Sequence, residues 1–340
     1  MLNRRTFVKA SAASVSAPAL LAGCKRASDN RFPQGVASGD PRPHQILLWT
    51  RVAPEDAEDI DVDWVCARDE ALTDVVSSGT ITATSASDHT VRVRVDGLAA
   101  NQRYHYQFAI RGGASPIGRT HTAPEPDEDV PVRFAWASCQ DFPGRWYHSW
   151  RALVEEADEV DFVLFLGDYI YETVADARYQ DPTPDRQVSI PDGISLDGSD
   201  ENLSANTLAD YRALYRQIHE DPDLQEVHRL FPFVMLWDDH EFANDAWQDH
   251  AVDFNESQGE EKQPDRREAA TQAWFEYVPI DVPMTNAAFP DDIQVYRSFR
   301  WGRHLELFLL DERYYRDDHL IPEGPFDLEV GKFVENSPLG

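Results

Sequence analysis

Positive charge is what this sequence most clearly lacks: 31 basic residues stand against 61 acidic ones, a net charge of -30 over 340 residues. That balance excludes charge-driven binding of nucleic acid or of an anionic bilayer. It also repels phosphate esters, so chemistry on one would need concentrated local positive charge, and bound metal ions are the obvious source. Cysteine is scarce as well, and three of them cannot make a disulfide framework. After the first thirty residues, no run is long and apolar enough to span a bilayer. What is present, 42% hydrophobic and 11% aromatic content, supports a sizeable core and about two domains.

Residues 1–30 read as an address rather than as part of the fold. Arg4 and Arg5 precede Thr6, Phe7, Val8 and Lys9, and a mild Ala- and Ser-rich apolar stretch follows to Leu21. Twin arginines before a weakly hydrophobic segment resemble a twin-arginine export signal, a route that carries folded proteins. The competing reading is an ordinary secretory signal with two chance arginines. Leu21-Ala22-Gly23-Cys24 resembles a bacterial lipobox, which makes Cys24 a candidate for lipidation. The expected location is periplasmic or extracellular, with a possible lipid anchor.

Residues 31–125 predict a small β-sandwich. Asp61 to Ala67, Thr80 to Thr84 and Thr90 to Val95 alternate polar and apolar, the mark of half-buried strands. Gly97-Leu98 followed by Tyr104 resembles the tyrosine corner of immunoglobulin-like and fibronectin-like domains. No catalytic constellation is visible in this part, and Cys66 reads as a small buried hydrophobe.

The chemistry is expected in residues 130–340. Four apolar runs, Val132 to Ala137, Asp161 to Leu166, Phe233 to Trp237 and Leu305 to Leu310, each end in a polar cluster. Helices are expected between them over Trp146 to Ala157, Leu208 to His219 and Arg266 to Phe275. Strands alternating with helices imply a layered α/β sheet, where ligands bind beyond the carboxyl ends of the strands. Cys139, Asp168, Tyr171, Asp239 and His240 could therefore converge. Singly, each has a bland reading as a buried thiol, a turn or a helix cap; jointly, after successive strands, they read as a site. A thiolate, a phenolate and carboxylates suit a hard, highly charged ion such as ferric iron, with oxygen-loving divalent ions beside it. Paired metals can generate a hydroxide nucleophile and neutralise phosphoryl oxygens.

These motifs together resemble the PhoD-like alkaline phosphatases, a branch of the calcineurin-like metallophosphoesterases. The matching segments are Gly35-Val36-Ala37-Ser38-Gly39-Asp40-Pro41 with Leu48-Trp49-Thr50-Arg51, Ser138-Cys139-Gln140, Gly167 to Glu172, Trp237 to Glu241 and Asp311 to Arg316. The resemblance implies a fibronectin-like N-terminal domain and a four-layered α/β catalytic domain. It implies hydrolysis of phosphate mono- and diesters by a metal-activated hydroxide, with one ferric ion (Fe3+) and calcium (Ca2+). Cys139, Asp168 and Tyr171 would hold the iron, Asp168 would bridge to calcium, and Asp239 would also bind metal. His240 would stabilise the phosphoryl group or donate a proton. Asn244 and Asp245 follow where the family carries polar residues near its site. Arg313 and Arg316 would orient phosphate, with a structural salt bridge as the equal alternative.

The family's catalytic domain continues beyond the position of Gly340, and the remainder is expected to add strands and a late Asp-x-His pair. The chain is accordingly expected to be a C-terminally incomplete catalytic domain with an exposed sheet edge. A competing hypothesis is a non-catalytic lipoprotein with a β-sandwich scaffold beside a degenerate domain. A third is a sulfatase-like or nuclease-like hydrolase on the same metals.

Overall fold

The computed structural model describes residues 31–53, 55, 58–177, 179–180, 183–195, 202–251, 261–317, 326–327 and 332–333. The segment read as an export signal, Cys24 included, lies outside the described residues. The chain opens with strands β1 (Val36–Arg42), β2 (Gln45–Arg51), β3 (Ile60–Ala67), β4 (Val75–Ala83), β5 (Thr90–Asp96) and β6 (Arg103–Ile110). Two short strands follow, β7 (Gly113–Ala114) and β8 (Gly118–His121). Strands β4, β3, β6 and β7 form one sheet, with β8 also on β6, and β5, β2 and β1 begin the other. Between the two sheets Val36, Ile46, Leu48, Val62, Cys66, Tyr106 and Phe108 are buried in one core. Tyr104 is buried and its hydroxyl accepts from the Ala99 N–H at 2.8 Å, which ties the 97–104 corner as the sequence led one to expect.

The second half adds β9 (Phe134–Ala137), α1 (His148–Glu155), β10 (Phe162–Phe165), the short strands β11 (Thr173–Val174), β12 (Ile194–Ser195) and β13 (Leu203–Ser204), then α2 (Leu208–Ile218), α3 (Pro222–Leu230) and β14 (Pro232–Met235). It continues with α4 (Pro264–Tyr277) and the hairpin β15 (Arg297–Trp301) and β16 (Leu305–Leu309). Strands β9, β10 and β14 are mutually parallel. They do not form a separate sheet: β14 pairs in parallel with β1, Gly39 opposite Phe233, giving one six-stranded sheet in the order β5-β2-β1-β14-β10-β9. This continuity explains why Ile46 to Trp49 is apolar without alternation. Ile46 and Leu48 face the sandwich core, while Trp49 packs in the core of the second half and donates from Nε1 to the Glu276 carbonyl at 2.7 Å.

The run over Leu305 to Leu310 corrects the expectation of a fourth strand in the parallel set. Among the described residues β16 pairs only with β15, antiparallel. Its alternating burial is that of a half-covered hairpin strand, with Leu309 packed on Phe162, Leu164 and Val234 of the central sheet and Phe308 exposed. Helix α3 was not foreseen, although Asp221 caps it by accepting from the Asp223 and Leu224 N–H groups and Pro222 sits at its first position. Among the described residues β9 is paired on one side only, and Trp136 on it is 68% exposed.

Two buried imidazoles lie beneath the central sheet. His219 and His228 stack at 5.7 Å, and the Tyr169 hydroxyl meets His228 Nε2 at 2.7 Å. Burial drives His219 from its ordinary 6.5 down to about 3. Burial, with His219 beside it, also drives His228 well down. Both are therefore neutral in the fold near neutral pH, and between 6.5 and about 3 it is the unfolded chain that takes up a proton at His219. The stabilisation from neutral His219 is complete above 6.5 and is lost as the pH falls from there toward about 3, by about 1.4 kcal/mol per pH unit, and His228 acts in the same direction. Urea unfolding of the His219→Leu variant is expected to show the acid slope reduced by about that amount; an unchanged slope would contradict a buried neutral imidazole.

Candidate metal centre

The loops after β9, β10 and β14 meet at one sheet edge, as expected from their parallel order. Cys139 and Asp168 both adopt left-handed backbone, at φ 58 and φ 57, a conformation that costs an ordinary L-residue energy and is typical of constrained functional loops. The Cys139 N–H donates to the Gly167 carbonyl at 3.1 Å and Gln140 N–H to that of Asp168 at 3.0 Å, so the two loops are laced together. Gly167, at φ 98, lets the β10 loop approach β14: a Cβ there would stand 2.3 Å from the Asp238 nitrogen.

Ligand atoms of Asp168, Asp239 and His240 all lie within 4.8 Å of one another. The Cys139 thiol donates to Asp168 Oδ2 at 3.1 Å, while Asp168 Oδ1 is buried without a hydrogen-bond partner. The Tyr171 ring lies 4.1 Å from that of His240. Asp239 is buried, its Oδ2 accepting from the Asp245 N–H at 2.6 Å.

Without a cation this group of acids resists ionising together. Burial raises Asp168 to about 6, and His240 and Cys139 only partly offset it. Burial likewise raises the Cys139 thiol and the Tyr171 phenol, and neighbouring Asp168 adds to both. An orphaned buried carboxylate oxygen next to a thiol and a phenol is a donor set that a hard cation satisfies. The residues present fit a metal.

His240 behaves in the opposite way. Burial disfavours its charge, but the buried Glu172 carboxylate, accepting from Nδ1 at 2.7 Å, and the nearby Asp239 and Asp168 together carry it up to about 10. Glu172 also accepts from the Asn244 N–H at 2.8 Å. Its position in the Gly167 to Glu172 motif was noted in the sequence, but its partner was not. Glu241 was missed as well. Its carboxylate is buried and accepts from the N–H groups of Asp168, Tyr169 and Asp238 at 3.0, 2.7 and 2.8 Å.

Arg313 reaches the rim even though β16 lies outside the sheet. It pairs with Asp238 through Nε and approaches Asp239 Oδ1 with Nη2 at 3.4 Å. Arg316 is half-buried further along, its carbonyl accepting from the Gln248 side chain at 2.9 Å. The long segment from Asp176 to Asn206 is pinned where it is described. Arg186 is buried against Phe142 and Trp146, at 4.2 and 4.5 Å, and paired with Asp221 at 2.8 Å.

Known proteins resemble this chain in sequence and in fold. A family model described as PhoD-like phosphatase matches residues 134–335, and one described as its N-terminal domain matches residues 16–124. Alkaline phosphatase D of Bacillus subtilis (strain 168) is 36% identical over 304 residues, covering 86% of this chain and 48% of that protein. A solved structure of PhoD superposes with a TM-score of 0.70 at 32% identity, covering 87% of this chain and 54% of that one. The chain thus spans about half the length of the curated relatives it matches.

Proposed function

The chain belongs to the PhoD-like phosphatase family, and from that premise we propose that it is the site-bearing part of an exported, metal-dependent hydrolase of phosphate mono- and diesters. The observation that carries this reading is Asp168, whose Oδ1 is buried without a partner and whose carboxylate lies within 4.8 Å of ligand atoms of Asp239 and His240. Cys139, Asp168 and Tyr171 would hold a ferric ion, and Asp168 and Asp239 would offer oxygens to calcium. When bound, such ions supply Lewis acidity at the phosphoryl group and make water a nucleophile at neutral pH.

The chain's own residues supply orientation and a proton. Glu172 fixes the His240 ring through Nδ1, which leaves Nε2 for the leaving ester oxygen. As the P–O bond breaks, the protonated imidazole gives that oxygen its proton. Arg313, held by Asp238, places a guanidinium at the rim, where it can meet a phosphoryl oxygen. Export by the twin-arginine machinery, a periplasmic or extracellular location and lipid attachment at Cys24 belong to the same proposal. They are supported by Arg4, Arg5 and the Leu21 to Cys24 segment.

The test is hydrolysis of p-nitrophenyl phosphate and its bis-ester by the metal-supplemented protein, with and without chelator. Chelator-sensitive turnover of both esters supports the proposal; turnover indifferent to chelator counts against it. Glu172→Gln is expected to lower kcat by about 10²-fold with little change in KM. Because Glu172 raises the basicity of His240, its loss moves the alkaline limb of the pH–rate profile to lower pH. A limb that stays in place would remove His240 from the role of acid.

A further inference from the structure

We propose that Glu241 is a positioning residue, a clasp that sets the spacing between the Asp168 loop and the Asp239–His240 loop and so makes the centre fit to hold metal. The inference rests on the metal-centre reading above and deepens it. Three backbone N–H groups converge on one buried carboxylate: Asp168 and Asp238 share Oε2 at 3.0 and 2.8 Å, and Tyr169 takes Oε1 at 2.7 Å. Two of these donors belong to the loop after β10 and one to the loop after β14. A single side chain thus bridges the two chain segments that carry the candidate ligands.

Gly167 supplies an independent observation. Its missing Cβ lets the β10 loop lie against the Asp238 backbone, where any side chain would be 2.3 Å from the nitrogen. The two segments are therefore in backbone contact, and Glu241 fills the hydrogen-bonding needs that this contact buries. No cationic side chain pairs with Glu241 among the described residues; its contacts are all N–H donors. Its side chain accepts from the backbone of Asp168 itself and so holds that candidate ligand from behind. Carboxylates that orient a metal's ligands from behind typically influence affinity by about 10- to 100-fold.

Neither isosteric nor shortened variants can reproduce the clasp. In Glu241→Gln the amide NH2 faces an N–H donor, and in Glu241→Asp the shorter arm cannot span both loops. The experiment is a Mn2+ titration, read by the electron paramagnetic resonance of free Mn2+, on the wild-type chain, Glu241→Gln and Glu241→Asp, with circular dichroism of each. Folded variants that bind Mn2+ at least 10-fold more weakly than wild type are expected. A folded variant that binds within twofold of wild type overturns the proposal. Amide hydrogen exchange of the wild type covers the case in which the variants do not fold. Strong protection of the Asp168, Tyr169 and Asp238 N–H groups is expected, and exchange at open-loop rates overturns the clasp. A wild type that takes up no Mn2+ while those amides remain protected overturns the metal reading and the clasp's role in it together, an outcome distinct from the failure of the variants alone.

Discussion

Replacing Asp168 with asparagine is expected to lower phosphatase turnover by about 10³-fold or more, equivalent to about 4 kcal/mol of lost transition-state stabilisation. The size follows from the position of this carboxylate. One oxygen accepts the Cys139 thiol, the other is buried and unpartnered, and the side chain lies within ligand distance of both Asp239 and His240. Asparagine keeps the volume and one oxygen but removes the charge that opposes a cation. It also places an NH2 group where a second oxygen is needed. The fold should survive, because the backbone N–H of residue 168 still reaches Glu241 and Cys139 still lies on the neighbouring loop. Kinetics with p-nitrophenyl phosphate, alongside circular dichroism of the variant, checks this. A folded Asp168→Asn protein that retains more than a tenth of wild-type turnover would contradict it.

The largest effect on stability is expected from Gly39→Ala. Its Cβ would stand 1.9 Å from the Pro279 carbonyl oxygen and 2.9 Å from that of Phe233, both backbone atoms that cannot rotate away. Gly39 lies where β1 joins β14, the seam that fuses the sandwich sheet with the parallel strands. The residues beside it reinforce the seam. Ser38 donates to Thr120 Oγ1 at 2.8 Å, and buried Asp40 accepts from the Asp281 N–H at 2.7 Å and from Arg297 Nη2 at 2.8 Å. Forcing strands apart there costs the overpacking penalty and weakens these contacts together, about 3 kcal/mol or more. Thermal or urea unfolding reads the loss directly, and a change of under about 0.5 kcal/mol would show that the seam yields freely.

The seam shows how much of the molecule could be read from the residues. Alternation exposed the strands of the sandwich, and the Gly97 to Tyr104 spacing exposed its corner, because both follow from local geometry. The polar clusters after three apolar runs marked the site edge for the same reason: a buried parallel strand announces itself by its continuous apolar sequence. Leu305 to Leu309 carries the same composition but also Glu306 and outward residues, and its pairing with Arg297 to Trp301 is decided by a neighbouring strand rather than by its own pattern. The union of the two sheets was invisible because it depends on contact between residues about two hundred positions apart, Gly39 with Phe233. The only local trace was Ile46 to Trp49, apolar on both faces because both are covered. Glu172 and Glu241 stood in plain view within their motifs, yet their partners are an imidazole and backbone amides brought near by folding. Hydrogen bonds of that kind leave no period in a sequence.

In the proposed function, Cys139, Asp168 and Tyr171 would form one metal centre with Asp239. Titration of the metal-free protein with ferric iron, followed in the visible spectrum, tests it most directly. A charge-transfer band is expected that saturates at one iron per chain, disappears in Tyr171→Phe and shifts in Cys139→Ser. A colourless titration, or a band that both substitutions leave unchanged, would contradict it.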